Sequence, residues 1–408
     1  MPCMSGPPPA PGLYDPAAAE QLIGQHLACL PIESLPVAQC AGAVLRENVY
    51  AERDQPPFDR VLVDGVALSS AAARRRRSFE AHSAGGVAPA ALRGPEHCVP
   101  VAAGAMLPQG CDCVLATGQF ERSGTQVVLK AGFKPSPWQN VQRRAVNGSQ
   151  GALLLAVGTS LNAPEIAVAA AAGMARLRVS GQPAILVVST GNELVEAGEP
   201  IAPHQIRRAN AYALCAALRQ HGYTRVADEH LPDDAAVLHA RLKLHLSTHD
   251  VLILSGGAAS ERPDPLPQVL QQLGVNALLH GVAQWPGQPM GFGTTTDGKA
   301  VFALPGDPVA TLVCLVRYVL PALQAAMGTQ HPPAERIALA APLQWDQRVT
   351  GFMPVRVHHD DWGRPWATPR PVEDAGDFTT LALTDGFIQL PPGPARFDKG
   401  FVTRLFRW

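Results

Sequence analysis

Three short segments of the sequence place glycines and carboxylates directly after runs of large apolar residues. They are "VVSTGNE" (187–193), "LSGGAASERPD" (254–264) and "ALPGDP" (303–308). Glycines after a buried strand expose backbone N–H groups to an anion, and carboxylates such as Glu193 and Asp264 bind hard cations like Mg²⁺. The combination predicts a site for a phosphorylated ligand with a divalent cation beside it.

Each of these carboxylates also has a purely structural interpretation. Glu193 suits an exposed helix start, and Asp264 suits an N-cap, where a side chain accepts hydrogen bonds from the next helix. Asp233 and Asp234 also precede a predicted helix, so capping is the expected role of at least one of them. Acidic positions at several strand ends of one sheet nevertheless favour a shared cation site.

The elements that position these residues alternate regularly from about residue 183. Strands are predicted at "PAILVVST", "TRVADEH", 251–254, "ALLHGVA" and "AVFALPG". Helices are predicted at "ANAYALCAALRQHG", "DDAAVLHARLKLHLS", near 265–273 and from Val309 onwards. Continuous apolar strands between helices indicate a doubly wound, mostly parallel α/β sheet, which binds ligands beyond the carboxyl ends of its strands.

The regions on either side of this pattern differ from it. After about residue 331, short strand-like pieces broken by Pro and Gly predict a small all-β domain. Residues 98–130 indicate β-structure with turns, and 162–177 a buried helix. The start, "MPCMSGPPPAPG", predicts a disordered Pro-rich tail at 1–13 and no signal peptide. The fold class is therefore multidomain α/β.

Composition and spacing argue against several other classes of protein. The net charge of −1 gives no global field for nucleic acid, and the longest apolar stretch carries Arg317 and Pro321, so no membrane span is expected. Eight scattered cysteines fit reduced thiols in the cytoplasm, and Cys111 and Cys113 are too close in sequence for a zinc knuckle. Neither a Ser-His-Asp arrangement nor a P-loop is recognisable. The arginines at 74–77 suit a solvated basic loop, with a phosphate contact as the alternative.

Taken in order, "VVSTGNELVEAGEPIAPHQIRRANAYAL", "VLILSGGAASERPDPLPQVLQQLG" and "FALPGDPVATLVCLVRYVLPAL" resemble the molybdenum-insertion enzymes of the MoeA and gephyrin E-domain family. The resemblance extends through "PPFDRVLVDGVALSS" (56–70) and "GDFTTLALTDGFIQLPPG" (376–393), and covers nearly the whole chain from about residue 14. It implies an elongated linker and dimerisation domain (14–49 with 150–182), a β-rich second domain (50–149), a molybdopterin-binding α/β domain (183–330) and a small, barrel-like C-terminal β domain (331–408).

The resemblance also implies an activity. Members of the family insert molybdenum from molybdate into adenylylated molybdopterin, in a Mg²⁺-dependent reaction that releases AMP. Their active site lies between the two subunits of a homodimer, and other cofactor-synthesis proteins are the further partners that it suggests. In this scheme glycine N–H groups contact the pterin phosphate, while carboxylates position the cation near the phosphoanhydride.

Carried over position by position, the resemblance assigns catalytic roles to Asp64, Glu193 and Asp264. The cation would be held by Glu193, Asp264 and one of Asp233 and Asp234, which the matching does not separate. The substrate-binding positions are Thr190, Gly191, Ser255, Gly256, Gly257, Pro305, Gly306, Pro308, Thr379 and Thr380.

Several positions depart from the family pattern, and four of the changes make the charge of the site more negative. Trp285 and Gln288 stand in place of lysines, Gly351 in place of an arginine, and Asp307 in place of an asparagine, where it adds a negative charge. Charge-assisted hydrogen bonds contribute about 1.5–3 kcal/mol each, so their loss would weaken phosphate binding unless 74–77 or Arg262 compensates. The remaining departures are Val66, Ala103, Ala145, Val146, Asn147 and Asn192.

Three functions follow from these observations. The retained carboxylates favour an active molybdenum insertase. The lost lysines motivate an alternative, a catalytically impaired relative that binds a pterin, a nucleotide or a partner protein. The third is an enzyme on the same α/β domain that acts on another phosphorylated compound.

Overall fold

The computed structural model describes residues 12–71, 76–79, 88, 91–256, 264–330, 333–371, 377–393 and 395–408. The tail up to residue 11 and the predictions for Arg74, Gly257 and Arg262 lie outside the described residues.

The chain starts with a helix and two short strands. Asp15 caps the helix by accepting a hydrogen bond from Ala17 N at 2.8 Å. The elements are α1 (Pro16–His26), β1 (Ile32–Pro36), a 3-10 turn (Val37–Gln39) and β2 (Val49–Tyr50).

Residues 60–142 then form a β-rich unit, as predicted for 98–130. Six of its strands make one sheet in the order β7-β4-β6-β5-β9-β8, and β10 pairs with β3. The strands are β3 (Arg60–Val61), β4 (Gly65–Leu68), β5 (Arg76–Phe79), β6 (His97–Val101), β7 (Cys113–Ala116), β8 (Phe120–Ser123), β9 (Gln126–Leu129) and β10 (Val141–Gln142).

The following segment, β11 (Leu153–Leu155), α2 (Ala163–Ala171) and β12 (Arg176–Ser180), returns to the start of the chain. Strand β12 pairs antiparallel with β1, and β11 with β2. The prediction of one helix over 162–177 was wrong in its second half. Helix α2 ends before Gly173, whose φ of +83° is a left-handed conformation that terminates helices, and the alternating residues after it form β12.

Residues 185–326 form the α/β unit, with helices on both faces of one sheet. Helices α3 and α6 cover one face and α4 and α5 the other. The elements are β13 (Ile185–Thr190), β14 (Leu194–Val195), β15 (Ile206–Arg207), α3 (Ala209–Gln220), β16 (Val226–Leu231), α4 (Ala235–Thr248), β17 (Val251–Ser255), α5 (Leu266–Gln272), β18 (Asn276–His280), β19 (Gln284–Trp285), β20 (Gly291–Thr294), β21 (Ala300–Leu304), α6 (Pro308–Cys314), a π-helical turn (Leu315–Val319) and α7 (Leu320–Ala326).

The sheet of this unit has the order β16-β13-β17-β21-β20-β18. Its first four strands are parallel, which confirms the mostly parallel prediction, whereas β20 and β18 run antiparallel. Strand β20, "GFGT", was not predicted because it offers a single large apolar residue between glycines. Its presence is what reverses the direction of this edge of the sheet.

The continuous helix Pro308–Ala326 is the one described helix that is long and apolar enough to cross a bilayer, and 78% of its apolar 18-residue window is buried inside the protein. Helix α1 packs against it through Ala19 and Ile23, and Arg317 Nη1 lies 2.7 Å from Glu20 Oε2. It is the central core helix of the fold.

The C-terminal unit is a small barrel attached to the α/β unit. Strands follow the order β19-β24-β25-β22-β28-β26, and β26 also pairs with β24, which closes the ring. Phe352, Phe387 and Phe406 of this unit share one hydrophobic core with Tyr318 of the long helix. Its elements are β22 (Arg336–Leu339), β23 (Leu343–Trp345), β24 (Thr350–His359), β25 (Pro365–Pro369), a 3-10 turn (Thr379–Leu383), β26 (Gly386–Leu390), β27 (Ala395–Phe397) and β28 (Val402–Arg407).

The domain limits given by the resemblance remain predictions. Helix α1, within the range 14–49 assigned to the linker domain, contributes its buried residues to the core of the α/β unit. Strands β1 and β2 of the same range pair instead with β12 and β11.

Candidate functional site

The strand ends singled out in the sequence lie side by side at one edge of the α/β sheet. Ser189 of β13 is in register with Ser255 of β17, and Ser255 with Leu304 of β21. The turns that follow begin at Thr190, Ser255 and Leu304, so the structure brings their glycines together. Parallel strands make this geometry unavoidable, because all their carboxyl ends point to one side.

Gly256 packs directly against Thr190, and only glycine fits there. Its φ is +107°, and a Cβ atom added to it would lie 2.6 Å from Thr190 O. The hydroxyls of Ser189 and Thr190 are buried, and among the described residues neither has a hydrogen-bond partner. Two buried hydroxyl groups are therefore available at this edge to a ligand.

Asn210, at the start of α3, connects two of the strand ends, and sequence reasoning missed it. Its Nδ2 lies 3.1 Å from Ser255 Oγ, 2.8 Å from Gly306 O and 3.4 Å from Thr311 Oγ1. Because Ser255 Oγ accepts a hydrogen bond from Asn210, its own proton remains free to be donated elsewhere. Asn210 thus orients Ser255 as a donor toward the space beyond the strand ends.

A buried arginine fixes the chain two residues before Asn210. Arg208 is 8% exposed and donates to Glu196 Oε2 at 2.9 Å and to Asp228 Oδ2 at 2.6 Å. Hydrogen bonds from Tyr212 and Arg208 lower the pKa of Glu196. The only sequence indication of this network was the pair of arginines in "QIRRANAY", which a surface loop would also explain.

Asp233 and Asp234 have different roles. The Asp234 side chain accepts hydrogen bonds from Ala236 N and Val237 N, both at 2.9 Å, and caps α4. Asp233 makes no capping hydrogen bond among the described residues, and its negative charge contributes to the raised pKa of Asp264. Because Asp234 is committed to the cap, Asp233 is the better candidate of the two for a cation ligand.

Asp264 has one satisfied and one unsatisfied oxygen. Oδ1 accepts a hydrogen bond from Leu266 N at 2.9 Å, whereas Oδ2 is buried and has no partner among the described residues. Burial raises the pKa of Asp264 above its usual value, and the Asp233 carboxylate raises it further, against the opposing hydrogen bond from Leu266 N. Such a pair of acids would be stabilised by a cation.

Glu193 is exposed and folds over the turn that follows β13. A Cβ atom at Gly191, where φ is +144°, would lie 2.9 Å from Glu193 Oε2. The turn is tied to the next strand, because His230 Nε2 lies 2.8 Å from Gly191 O and Asp233 N donates to Asn192 Oδ1 at 3.2 Å. Asn192, a departure from the family, thus links the Glu193 turn to Asp233.

Asp307 is an N-cap, which changes the interpretation of its extra charge. Its carboxylate accepts hydrogen bonds from Val309 N at 2.7 Å and Ala310 N at 3.1 Å at the start of the long helix. The negative charge that Asp307 adds relative to the family pattern is therefore stabilised by the helix N–H groups. Gly306 before it is exposed, with no atom within 4 Å of where a Cβ would lie, and Pro308 is the first helical residue.

Two other sets of predicted residues make contacts within their own units. Thr379 Oγ1 donates to Asp377 Oδ1 at 2.6 Å and Thr380 Oγ1 to the other oxygen of the same carboxylate, in the C-terminal unit. Asp64 accepts a hydrogen bond from Ala103 N at 2.8 Å in the β-rich unit. Over the described part of the chain, no hydrogen bond joins either set to the strand-end residues.

The departures at Trp285 and Gly351 belong to one rearrangement. The two residues are direct partners in the pairing of β19 with β24. The indole of Trp345 lies 5.9 Å from that of Trp285, and a Cβ atom on Gly351 would come within 2.6 Å of it. Trp285 therefore packs against Trp345 where the resemblance implies a lysine, and the same Trp345 leaves no room for a Cβ atom at 351. Gln288 is exposed.

Across the described residues, no group of three His, Cys, Asp or Glu side chains is arranged to hold a metal ion. Mg²⁺, however, is commonly bound by one or two carboxylates together with substrate phosphates and waters. The unpartnered oxygen of Asp264 beside Asp233 fits that kind of partial site.

The fold and these residues define an α/β protein with a candidate ligand site at the carboxyl edge of its sheet. Comparison with known proteins is more specific. Residues 15–173 match the family model described as "MoeA N-terminal region (domain I and II)", 186–325 the "Probable molybdopterin binding domain" and 336–402 the "MoeA C-terminal region (domain IV)". The chain belongs to the MoeA family.

Relatives and solved structures agree with this assignment. A molybdopterin molybdenumtransferase of Synechocystis sp. is 35% identical over 96% of this chain and 99% of its own, and one of Bacillus subtilis is 29% identical over 88% and 86%. The crystal structure of a molybdopterin biosynthesis MoeA protein from Pyrococcus horikosii has a TM-score of 0.79, with 27% identity, 97% of this chain and 99% of that chain covered. The resemblance stated from the sequence is thereby confirmed.

Proposed function

We propose that this protein is a transferase of molybdenum cofactor biosynthesis that inserts molybdenum from molybdate into adenylylated molybdopterin and releases AMP. The observation that carries the proposal is the strand-end edge, which combines unpartnered buried hydroxyls, glycine turns and the acids Asp264 and Asp233. The similarity to named molybdenumtransferases over almost the full chain supports it and does not favour the catalytically impaired alternative.

The residues of the edge would act mainly through fixed hydrogen-bond donors. Ser255, oriented by Asn210, and Thr190 can each donate a hydroxyl proton to a phosphate oxygen. Release of AMP breaks a phosphoanhydride, so negative charge grows on phosphate oxygens in the transition state. Donors already aimed at those oxygens stabilise that charge without rearranging.

Mg²⁺ is part of the proposal. Asp264 and Asp233 would hold it, with Glu193 as the exposed third acid on the adjacent turn. When bound, the cation would supply positive charge beside the phosphoanhydride. The lysines that the family pattern would place at positions 285 and 288 cannot supply that charge, because this chain has Trp285 and Gln288 there.

The wider context is proposed by analogy with the family. We expect a cytoplasmic homodimer, with Asp64 and the pair Thr379 and Thr380 brought to the strand-end site by assembly, since within one chain they contact their own units. Other cofactor-synthesis proteins would deliver the substrate. Sedimentation of the purified protein tests the homodimer.

The activity is tested with purified protein, adenylylated molybdopterin and molybdate. AMP release is expected to require both molybdate and Mg²⁺, and to fall at least about a hundredfold in Glu193→Ala, on the scale of a lost charge-stabilising contact. Glu199→Ala, which removes an exposed acid from the same loop, is the matched control and is expected to keep the wild-type rate. If the wild-type protein released AMP in a molybdate-dependent manner no faster than Glu193→Ala does, the proposal would be refuted.

A further inference from the structure

A large cleft opens beside the strand-end site, between helix α5 and the antiparallel edge of the sheet. Its volume is about 930 Å³, and Asp264 lines one end while Gln288 and Pro289 line another part. Pockets for small organic ligands commonly have volumes of about 300–1,000 Å³. The cleft, named here the α5 cleft, therefore reaches Asp264 of the candidate site and is large enough for part of a substrate.

The floor of the α5 cleft is strand β20, which presents glycines to it. Phe292 points to the opposite face and is buried in the main core, while Gly291 and Gly293 pair with Ala303 and Val301 on the cleft side. Packing requires a glycine at 293, since a Cβ atom there would lie 2.7 Å from Asn276 O. Packing does not require one at 291, because a Cβ atom there would make ordinary contacts, the nearest at 3.4 Å from Ala303 Cβ.

A glycine that packing does not require weakens a strand, and such glycines often mark a close approach of a ligand. The lining of the α5 cleft indicates what that ligand is. Its lining combines apolar residues with Asp264, His280 and the amides Gln268, Gln271, Asn276 and Gln288, and among the described lining residues there is no lysine or arginine. Apolar surface with amide groups and no cation suits a planar, uncharged ring with polar edges better than it suits a phosphate.

We propose that the α5 cleft binds an uncharged planar heterocycle of the phosphorylated substrate over Gly291, while the phosphate lies at Ser255 and Gly256. This rests on the function proposed above, and deepens it by assigning separate places to the ring and the phosphate. Adenylylated molybdopterin carries two such heterocycles, a pterin and an adenine, which share this chemistry. Gly291 is then a specificity-determining position.

The test fills the floor of the α5 cleft without loosening the fold. Gly291→Val places a β-branched side chain, which suits a strand, where the structure has space, so the melting temperature is expected to stay equal or rise. The control is Thr294→Val on the same strand, which does not line the cleft. Binding is measured by calorimetry with neopterin monophosphate, AMP and pyrophosphate.

One of the two heterocyclic probes is expected to bind Gly291→Val at least about tenfold more weakly than wild type, which identifies the ring that occupies the cleft. Pyrophosphate, which has no ring, should bind both proteins equally, and Thr294→Val should change each affinity less than about twofold. Unchanged affinities for both heterocyclic probes, no binding of either by wild type, or an equal loss of pyrophosphate binding would overturn the proposal. Molybdate-dependent AMP release by wild type decides the proposed function separately.

Discussion

Replacing Asn210 by alanine tests the idea that one amide group organises the strand-end site. The nitrogen carries two protons, so it can make two of its three contacts at a time, and the shorter ones are to Gly306 O at 2.8 Å and Ser255 Oγ at 3.1 Å. With about 1 kcal/mol for each hydrogen bond, Asn210→Ala is expected to lower the free energy of unfolding by about 2 kcal/mol.

The effect on ligand binding follows from Ser255. If its hydroxyl no longer donates to a phosphate in the right direction, a charge-assisted hydrogen bond of about 1.5–3 kcal/mol is lost, which is about ten- to a hundredfold in affinity. Calorimetry with pyrophosphate and the rate of AMP release both report this loss.

A double-mutant cycle separates positioning from direct contact. If Asn210 acts through Ser255, the variant that combines Asn210→Ala with Ser255→Ala should bind pyrophosphate no more weakly than Ser255→Ala alone. Additive losses of affinity would show that the two side chains act independently, and the reasoning would then be refuted.

Three further substitutions test individual features. Asp264→Asn should abolish AMP release yet raise the melting temperature at pH 7. Burial and Asp233 raise the pKa of Asp264, so its ionised form destabilises the fold. The gain in melting temperature should therefore shrink as the pH falls through that raised pKa. Asp307→Ala should lower the free energy of unfolding, measured in urea, by about 1 kcal/mol. Asp307→Asn keeps an equivalent cap and should lower it by less than about 0.5 kcal/mol. Gly351→Arg should lower the same free energy of unfolding by about 1–3 kcal/mol, because the new side chain overlaps Trp345. An unchanged urea midpoint would contradict that packing.

The fold was largely predictable because its central strands are continuous apolar runs between amphipathic helices. "ILVVS" and "VLILS" allow few other interpretations, and parallel pairing then places their carboxyl ends together. The antiparallel edge was not predictable from "GFGT", since its glycines have the composition of a turn. What forms β20 there is pairing with its two neighbours.

The candidate site was predictable where it follows from strand ends, and not where it depends on which of two similar side chains turns inward. Sequence alone left Asp233 and Asp234 equivalent, because both precede α4; the capping hydrogen bonds of Asp234 separate them. Asn210 was overlooked because an asparagine in the first turn of a helix has no distinctive spacing. Its partners lie at 255, 306 and 311, far along the chain.

The phenylalanines that the barrel shares with the long helix have a consequence for how the molecule can be taken apart. Phe352, Phe387 and Phe406 share a hydrophobic core with Tyr318. Removing everything after residue 330 would therefore expose a large apolar surface on the α/β unit. Fragments cut there should aggregate, and calorimetry of the intact chain should show these two units melting in a single cooperative transition.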